Sequence, residues 1–318
     1  MKKLLAIVLA SLMLFTLFAC AAETPATETT PQANIDNDPP PAAEPEPEPE
    51  TEPEPEPETE PVDDFDADRV IAVFTREDGS GTRDAFASIT GVGEDMYIEA
   101  VVLTSGGEIR TGVSENLYGI GYISVGSLND TVKALTIGGV MPSSDTIVDG
   151  SYAIQRPFLL VTNDEKDADE LVQDFIAFAM SAQGQEETST SWTSTGNSGE
   201  YEPSGMSGTL RVGGSTSVNP LMELLAAVYT EMNPDVNIEI SGGGSGQGIE
   251  EATNGVIDIG MSSRNLKDGE KDALNEYVIA LDGVAVIVNI DNPASDIDID
   301  TVKEVFIGEI TFWRDIIG

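Results

Sequence analysis

The segment GTLRVGGSTSVNPLMELLAAVYTEMNPDVNIEISGGGSGQG, residues 208–248, contains strand-like and helix-like patterns in regular succession. Apolar residues in 209–212 and 236–240 predict two short strands, and the apolar spacing of 220–232 predicts a helix between them. A glycine-rich turn with hydroxyl side chains follows each strand, and a second helix is predicted to begin near residue 248. Strands that alternate with helices predict an α/β fold with mostly parallel sheets.

The same layout occurs near the start of the folded region. Residues 70–74 (VIAVF) predict a buried strand, the turn TREDGSGT follows at 75–82, and a helix is predicted through Ala85. The remaining patterns predict strands at 97–103 and 119–124, a helix at 168–180, and a Ser/Thr/Gly-rich linker at 184–207.

The three turns share a chemistry that suits a small oxyanion. A helix start presents backbone N–H groups without intrahelical partners, and its dipole end is positive. Glycine lets an anion approach the backbone, and serine and threonine add short donors. Each turn alone could simply cap its helix, but three such turns after strands favour one shared anion site. Arg76 would add a cation to that site, and Asp78 could orient it.

Composition removes several other functions. The chain of 318 residues has a formal net charge of −42, no histidine and a single cysteine. Nucleic acid is an improbable partner for such an acidic chain. The missing histidine removes the commonest general base and metal ligand, and one cysteine cannot form an internal disulfide. We therefore expect no enzyme activity, no metal and no cofactor.

The N-terminus predicts secretion. Residues 1–20 combine Lys2 and Lys3 with an apolar run and end in Leu17-Phe18-Ala19-Cys20, which resembles a bacterial lipobox. This resemblance implies a lipoprotein signal peptide and lipidation at Cys20, and the alternative is an ordinary secretion signal with an incidental cysteine. Residues 21–68 are acidic, rich in Pro and Glu, and predict a disordered spacer.

Four segments together resemble the phosphate-binding protein of bacterial phosphate ABC transporters. They are residues 76–82, 213–217, 258–264 and 308–315, within a resemblance that covers 70–183 and 208–318. The resemblance implies a type II periplasmic-binding-protein-like fold with two Rossmann-like lobes joined by two crossing hinge strands. Residues 152–162 and 277–289 fit those hinge strands.

The order of these segments differs from the order in that family. Residues 69–183 match the family's C-terminal half and residues 208–318 match its N-terminal half, with 184–207 as the linker. We therefore predict a circular permutation, which surface termini permit. The rival explanation is a truncated tandem protein.

The resemblance also implies which residues contact the ligand. The implied phosphate-binding residues are Arg76, Ser80, Gly81, Thr82, Thr216, Ser217, Ser245 and Ser263, with Asp78 and Arg264 in support. Some family members carry a carboxylate at the position of Ser263, which accepts a proton from hydrogenphosphate and rejects sulfate. A serine there makes the selection against sulfate weaker.

The resulting expectation is an extracytoplasmic, lipid-anchored protein that delivers inorganic phosphate to the permease of an ABC transporter. Its only link to the membrane would be the lipid anchor. The alternatives are a binding protein for sulfate or molybdate and a phosphate sensor without a transport role. Trp313 is predicted to lie in the core and Trp192 at the surface.

Overall fold

The computed structural model describes residues 65–317. The predicted signal peptide, the lipidation site at Cys20 and the spacer up to residue 64 lie outside the described residues. Phe65, within the predicted spacer, already packs on the folded part: its ring lies 5.1 Å from the ring of Tyr118 and 5.8 Å from that of Trp313. None of the helices between residues 65 and 317 is both long enough and apolar enough to span a membrane.

Strands and helices alternate along the chain, as the sequence pattern predicts. The strands are β1 (Ala72–Arg76), β2 (Val101–Leu103), β3 (Gly119–Ser124), β4 (Val132–Ala134), β5 (Thr136–Ile137), β6 (Gln155–Thr162), β7 (Gly208–Gly214), β8 (Val236–Gly242), β9 (Ile259–Ser262), β10 (Asn275–Asn289) and β11 (Asp296–Ile297). The helices are α1 (Gly81–Thr90), α2 (Gly106–Ser114), α3 (Ser144–Val148), α4 (Asp164–Asp167), α5 (Glu170–Ala179), α6 (Ala182–Thr188), α7 (Asn219–Met232), α8 (Ser245–Thr253), α9 (Asp268–Lys271), α10 (Ile299–Phe306) and α11 (Arg314–Ile317).

The main sheet runs in the order β2-β1-β3-β10-β6-β9-β7-β8. At one end β1 pairs in parallel with β2 and β3, and at the other end β7 pairs in parallel with β8 and β9. Antiparallel pairing of β10 with β3 and β6, and of β6 with β9, joins the two parallel groups. The sheet therefore consists of two parallel halves linked by two antiparallel strands.

We call the half with β1, β2 and β3 the first lobe and the half with β7, β8 and β9 the second lobe. Each lobe has one large core and a smaller buried apolar cluster. In the first lobe Phe86 stacks on Tyr122 at 4.1 Å and meets Phe306 edge-on, and in the second lobe Phe175 and Phe178 pack around Tyr229. The long strand β10 contributes Ile279 and Ala280 to the second core and Val284, Val286 and Val288 to the first. This arrangement confirms the predicted two-lobed α/β fold. The hinge strands predicted at 152–162 and 277–289 extend over 155–162 and 275–289.

The two tryptophans lie in different surroundings, and both are buried. Trp313 is fully buried in the first core, as predicted. Trp192 is only 7% exposed, so its predicted surface position is wrong. The backbone of Thr193 exchanges hydrogen bonds with Leu281 in β10, and this pairing draws the neighbouring indole into the second core, against Gly126. Helix α6 also extends to Thr188, into the segment predicted as a linker.

Candidate functional site

The turn after β1 leads directly into α1. Ser80 is the N-cap, and its hydroxyl accepts a hydrogen bond from the backbone N–H of Arg83. Gly79 has φ of +83°, a left-handed conformation that glycine adopts without a steric cost. Gly81 and Thr82 form the first turn of α1 and are buried. The first predicted turn is therefore a helix start at the carboxyl end of a strand.

The other two turns have the same relation to their strands. Residues 215–218 connect β7 to α7, and Gly244, with φ of +91°, precedes Ser245 at the start of α8. Ser245 is fully buried. Because β7 and β8 are parallel neighbours, both turns emerge at the same edge of the second lobe.

The turn of the first lobe meets the turns of the second. The hydroxyl oxygens of Thr82 and Ser217 lie 2.7 Å apart, and the backbone N–H of Gly246 donates to the carbonyl of Gly79 at 3.0 Å. A Cβ atom added to Gly81 would lie 2.1 Å from the hydroxyl of Ser245. The structure thus brings the three predicted helix starts together between the lobes.

Several backbone donors at this junction are free. Within residues 65–317, the backbone N–H groups of Gly81, Thr82, Thr216 and Ser245 make no hydrogen bond to protein atoms. Such groups at helix starts carry partial positive charge and bind oxyanions well. The junction therefore offers neutral donors from both lobes to a small tetrahedral anion.

Arg76 adds a buried cation to these donors. Its side chain is 1% exposed and forms two hydrogen bonds of 2.8 Å to the carboxylate of Glu77. Its Nη2 atom also donates to Thr216 Oγ1 at 2.9 Å and to the Thr104 carbonyl at 3.1 Å. Within the described part of the chain its Nη1 atom makes no hydrogen bond, which leaves one face of the guanidinium available to a ligand.

The residue that orients Arg76 is Glu77, so the predicted supporting role of Asp78 is wrong. The side chain of Asp78 is 94% exposed and pairs with Arg83 at 2.8 Å. Asp78 lies at the tip of the turn, where its side chain points to solvent, whereas Glu77 leaves the strand beside Arg76. The adjacent acidic residues in the sequence gave no signal that separates the two roles.

Ser263 lies at the back of the junction and is fully buried. Its hydroxyl is 2.9 Å from the hydroxyl of Ser215 and 3.4 Å from that of Ser245, and its backbone N–H donates to Ser245 at 3.0 Å. Each hydroxyl can both donate and accept. Ser215 belongs to this cluster although sequence reasoning passed over it, and its place in the turn GGSTS was the available signal.

Arg264 does not face the junction, so the predicted direct contribution of its charge to the ligand site is wrong. Its guanidinium forms a two-point ion pair with Glu270 at 2.7 and 2.9 Å and contacts Asp84 at 2.9 Å. Burial disfavours the charged form of Glu270, but hydrogen bonds from Arg264 and the Lys267 backbone, together with the positive charges of both residues, outweigh it and hold the pKa of Glu270 below its ordinary value. The positive charge of Arg264 is therefore engaged by two carboxylates.

A buried ion pair lies where the hinge strands cross. Arg156 in β6 donates to the Asp282 carboxylate in β10 at 2.9 and 3.0 Å, and both side chains are 1% exposed. Burial raises the pKa of Asp282 and lowers the pKa of Arg156. Arg156 also donates to the carbonyl of Ser263 at 3.2 Å, so the hinge pair supports the site from behind. Arg156 precedes a proline in a predicted hinge strand, which is the available signal for a structural role, but nothing in the sequence identified Asp282 as its partner.

Within the part of the chain that the structure describes, no group of three or more Asp, Glu or Cys side chains is arranged to hold a metal ion. Two α/β lobes with helix starts, hydroxyls and one arginine at their junction define a two-lobed binding protein for a small oxyanion.

The comparisons identify the family. A family model described as a PBP superfamily domain matches residues 59–183 and 197–318, and the chain belongs to this family.

Individual relatives agree with this assignment. The chain is 43% identical to the phosphate-binding protein PstS 2 of Streptococcus pneumoniae over 79% of this chain and 89% of the relative. A crystal structure of a phosphate-binding protein of a phosphate ABC transporter from Streptococcus pneumoniae matches with a TM-score of 0.66 and 43% identity, over 78% of this chain and 99% of that one. The phosphate-binding protein PstS of Bacillus subtilis is 34% identical over 39% of this chain and 45% of its own length.

Proposed function

We propose that this protein captures inorganic phosphate between its lobes and delivers it to the permease of an ABC transporter. The observation that carries the proposal is the meeting of three helix starts with Arg76 at one junction. The names of the two Streptococcus pneumoniae relatives described above, which are phosphate-binding proteins, give the proposal its ligand. The role is capture and release of the ion without chemical change.

The proposed contacts combine neutral and charged donors. Backbone N–H groups of Gly81, Thr82, Thr216 and Ser245 would hold the oxygens, and the free face of Arg76 would compensate the negative charge. Hydrogen bonds to charged groups contribute about 1.5–3 kcal/mol each. Because the donors come from both lobes, the anion would favour the closed arrangement of the lobes.

The choice between phosphate and another oxyanion depends on acceptors at the junction. Both oxygens of Glu77 accept hydrogen bonds from Arg76, so this carboxylate is directed at the guanidinium rather than at the ligand. The hydroxyl of Ser263 can accept instead, and it can equally turn to donate to sulfate. This observation keeps a second candidate, a binding protein for sulfate or molybdate, and a phosphate sensor would use the same site.

Titration calorimetry tests the proposal. A phosphate-free preparation should bind phosphate with a dissociation constant of about 1 µM or below. It should bind sulfate no more than roughly 10-fold more weakly, because the Ser263 hydroxyl can accept a hydrogen bond from hydrogenphosphate and can turn to donate one to sulfate. Tighter binding of sulfate would favour the second candidate, and no heat with either anion would contradict both.

The remaining proposals concern the location of the protein and the order of the two halves of its sequence. We propose an extracytoplasmic protein with a lipid at Cys20 and a spacer over 21–68, and Cys20→Ser should then release it from the membrane fraction. We also propose the circular permutation, joined through 184–207. A match to the Bacillus subtilis relative that covers less than half of each chain is what a different order of the halves would give, and the match over 79% of this chain to the Streptococcus pneumoniae relative would then mean that these two proteins share one order.

A further inference from the structure

An ion pair joins the lobes outside the anion junction. Asp84 belongs to α1 in the first lobe, and Arg264 follows β9 in the second lobe. The Arg264 Nε atom lies 2.9 Å from Asp84 Oδ2, and Lys267 Nζ lies 3.7 Å from the same oxygen. One carboxylate of the first lobe therefore faces two cations of the second.

Arg264 is held in place by its own lobe. Its two-point contact with Glu270 and its hydrogen bond to the Asn265 carbonyl at 2.9 Å involve only residues of the second lobe. These contacts can persist when the lobes separate, whereas the contact with Asp84 cannot. The Asp84–Arg264 distance therefore distinguishes the closed arrangement from an open one.

The position of Asp84 on α1 links this contact to the ligand site. Asp84 lies one turn beyond Gly81 and Thr82, whose N–H groups are the donors of the first lobe. On the side of the junction, α1 is held through Thr82 and Ser217, and one turn further on it is held through Asp84 and Arg264. Two points of attachment along the helix fix the direction in which its first N–H groups point.

We propose that Asp84 is a positioning residue for the bound anion, which holds the start of α1 against the second lobe through Arg264. Asp84 does not contact the ligand in this arrangement, and its partner is already oriented by Glu270. The inference rests on the proposed phosphate function for its affinity readout, but the contact between the lobes can also be tested without ligand.

Removal of the Asp84 charge should change phosphate affinity in opposite directions if Asp84 positions α1 and if it only repels the anion. A carboxylate near an anion site repels the anion, so removal of its charge alone should tighten binding. Removal of a contact that exists only in the closed state should weaken binding, because closure then gains less free energy. Asp84→Asn, which keeps the size of the side chain, therefore gives opposite results under the two explanations.

The experiment compares Asp84→Asn with Asp78→Asn in phosphate titrations and stopped-flow release. Asp84→Asn should raise the dissociation constant about 3- to 10-fold, mainly through faster release, and the effect should shrink at high salt. Asp78→Asn removes the same charge from the loop before α1, but Asp78 is 94% exposed and pairs within its own lobe. This control should leave affinity unchanged or slightly higher.

Unchanged or tighter phosphate binding by Asp84→Asn would overturn the proposal, as would an equal loss in Asp78→Asn. Small-angle scattering of the ligand-free protein at low salt supplies a second measurement. Asp84→Asn should show a larger radius of gyration than the unmodified protein, and identical values would also count against the positioning role. If the unmodified protein does not bind phosphate, the proposed function fails, and the scattering comparison still decides the role of Asp84.

Discussion

Arg76→Ala is expected to lower phosphate affinity by at least about 100-fold. The guanidinium is 1% exposed and holds the carboxylate of Glu77 with two hydrogen bonds of 2.8 Å. Its removal takes away the cation of the site and leaves Glu77 unpaired beside the anion. Loss of one partner of a fully buried ion pair costs about 3–5 kcal/mol in stability; Glu77 is 26% exposed, so the cost here is smaller, and part of it falls on the bound state. Titration calorimetry measures the change.

Two further variants test this explanation of Arg76. Glu77→Gln in the Arg76→Ala background should restore part of the affinity, because it removes the uncompensated negative charge. Arg110→Ala takes one positive charge from the same lobe, where Arg110 donates to the carbonyl of Ser127, and should leave binding nearly unchanged. Phosphate affinity within a few fold of the unmodified protein in Arg76→Ala would contradict the assignment of Arg76 to the site.

Local patterns in the sequence were sufficient for the framework of the site. The turns at 75–82, 213–217 and 241–248 each follow a strand, and in parallel sheets the carboxyl ends of neighbouring strands meet at one edge. This rule placed the turns after β7 and β8 together. Only the resemblance to a two-lobed family indicated that the turn after β1 faces them from the other lobe.

Side-chain partners between distant segments could not be predicted in the same way. Arg264 follows Ser263 directly, yet Ser263 lies at the junction while Arg264 is drawn to Glu270 and Asp84. Both residues lie in the bend after β9, where the side-chain alternation of a strand does not apply, so tertiary contacts decide the partner of each. Glu77 and Asp78 illustrate the same limit, since both are acidic and only the direction of each side chain separates their roles.

Burial of Trp192 shows a third limit. Its surroundings in the sequence, rich in Ser, Thr and Gly, are typical of a solvated linker. Pairing of Thr193 with Leu281 places this segment beside the hinge strand, where the indole covers apolar side chains of the second core. Composition describes the local preference of a segment, and it does not indicate which distant strand the segment will join.

Gly81→Ala is expected to weaken phosphate binding by about 100-fold without destabilising the ligand-free protein. The added Cβ atom would lie 2.1 Å from the hydroxyl and 2.7 Å from the Cβ atom of Ser245, and 2.8 Å from the hydroxyl of Ser263. Rotation of one hydroxyl cannot relieve all three contacts, so the lobes must stay apart and the donors of α1 no longer reach the anion. Alanine is also a better helix former than glycine by about 1 kcal/mol, which favours the ligand-free fold.

Weaker phosphate binding without a loss of stability would separate an effect on lobe closure from a folding defect. A glycine at the start of α2 provides the matched control. Gly106 is the first residue of α2 and follows a serine N-cap, as Gly81 follows Ser80 in α1. A Cβ atom on Gly106 would meet only Ile123, at 3.8 Å, so Gly106→Ala should bind phosphate normally. Calorimetric titration and thermal unfolding of both variants give the comparison. The added Cβ atom would force Gly81 and Ser245 apart, and donors from both lobes could then no longer reach one small ion. Normal binding by Gly81→Ala would therefore mean that the lobes do not close around the anion through the start of α1.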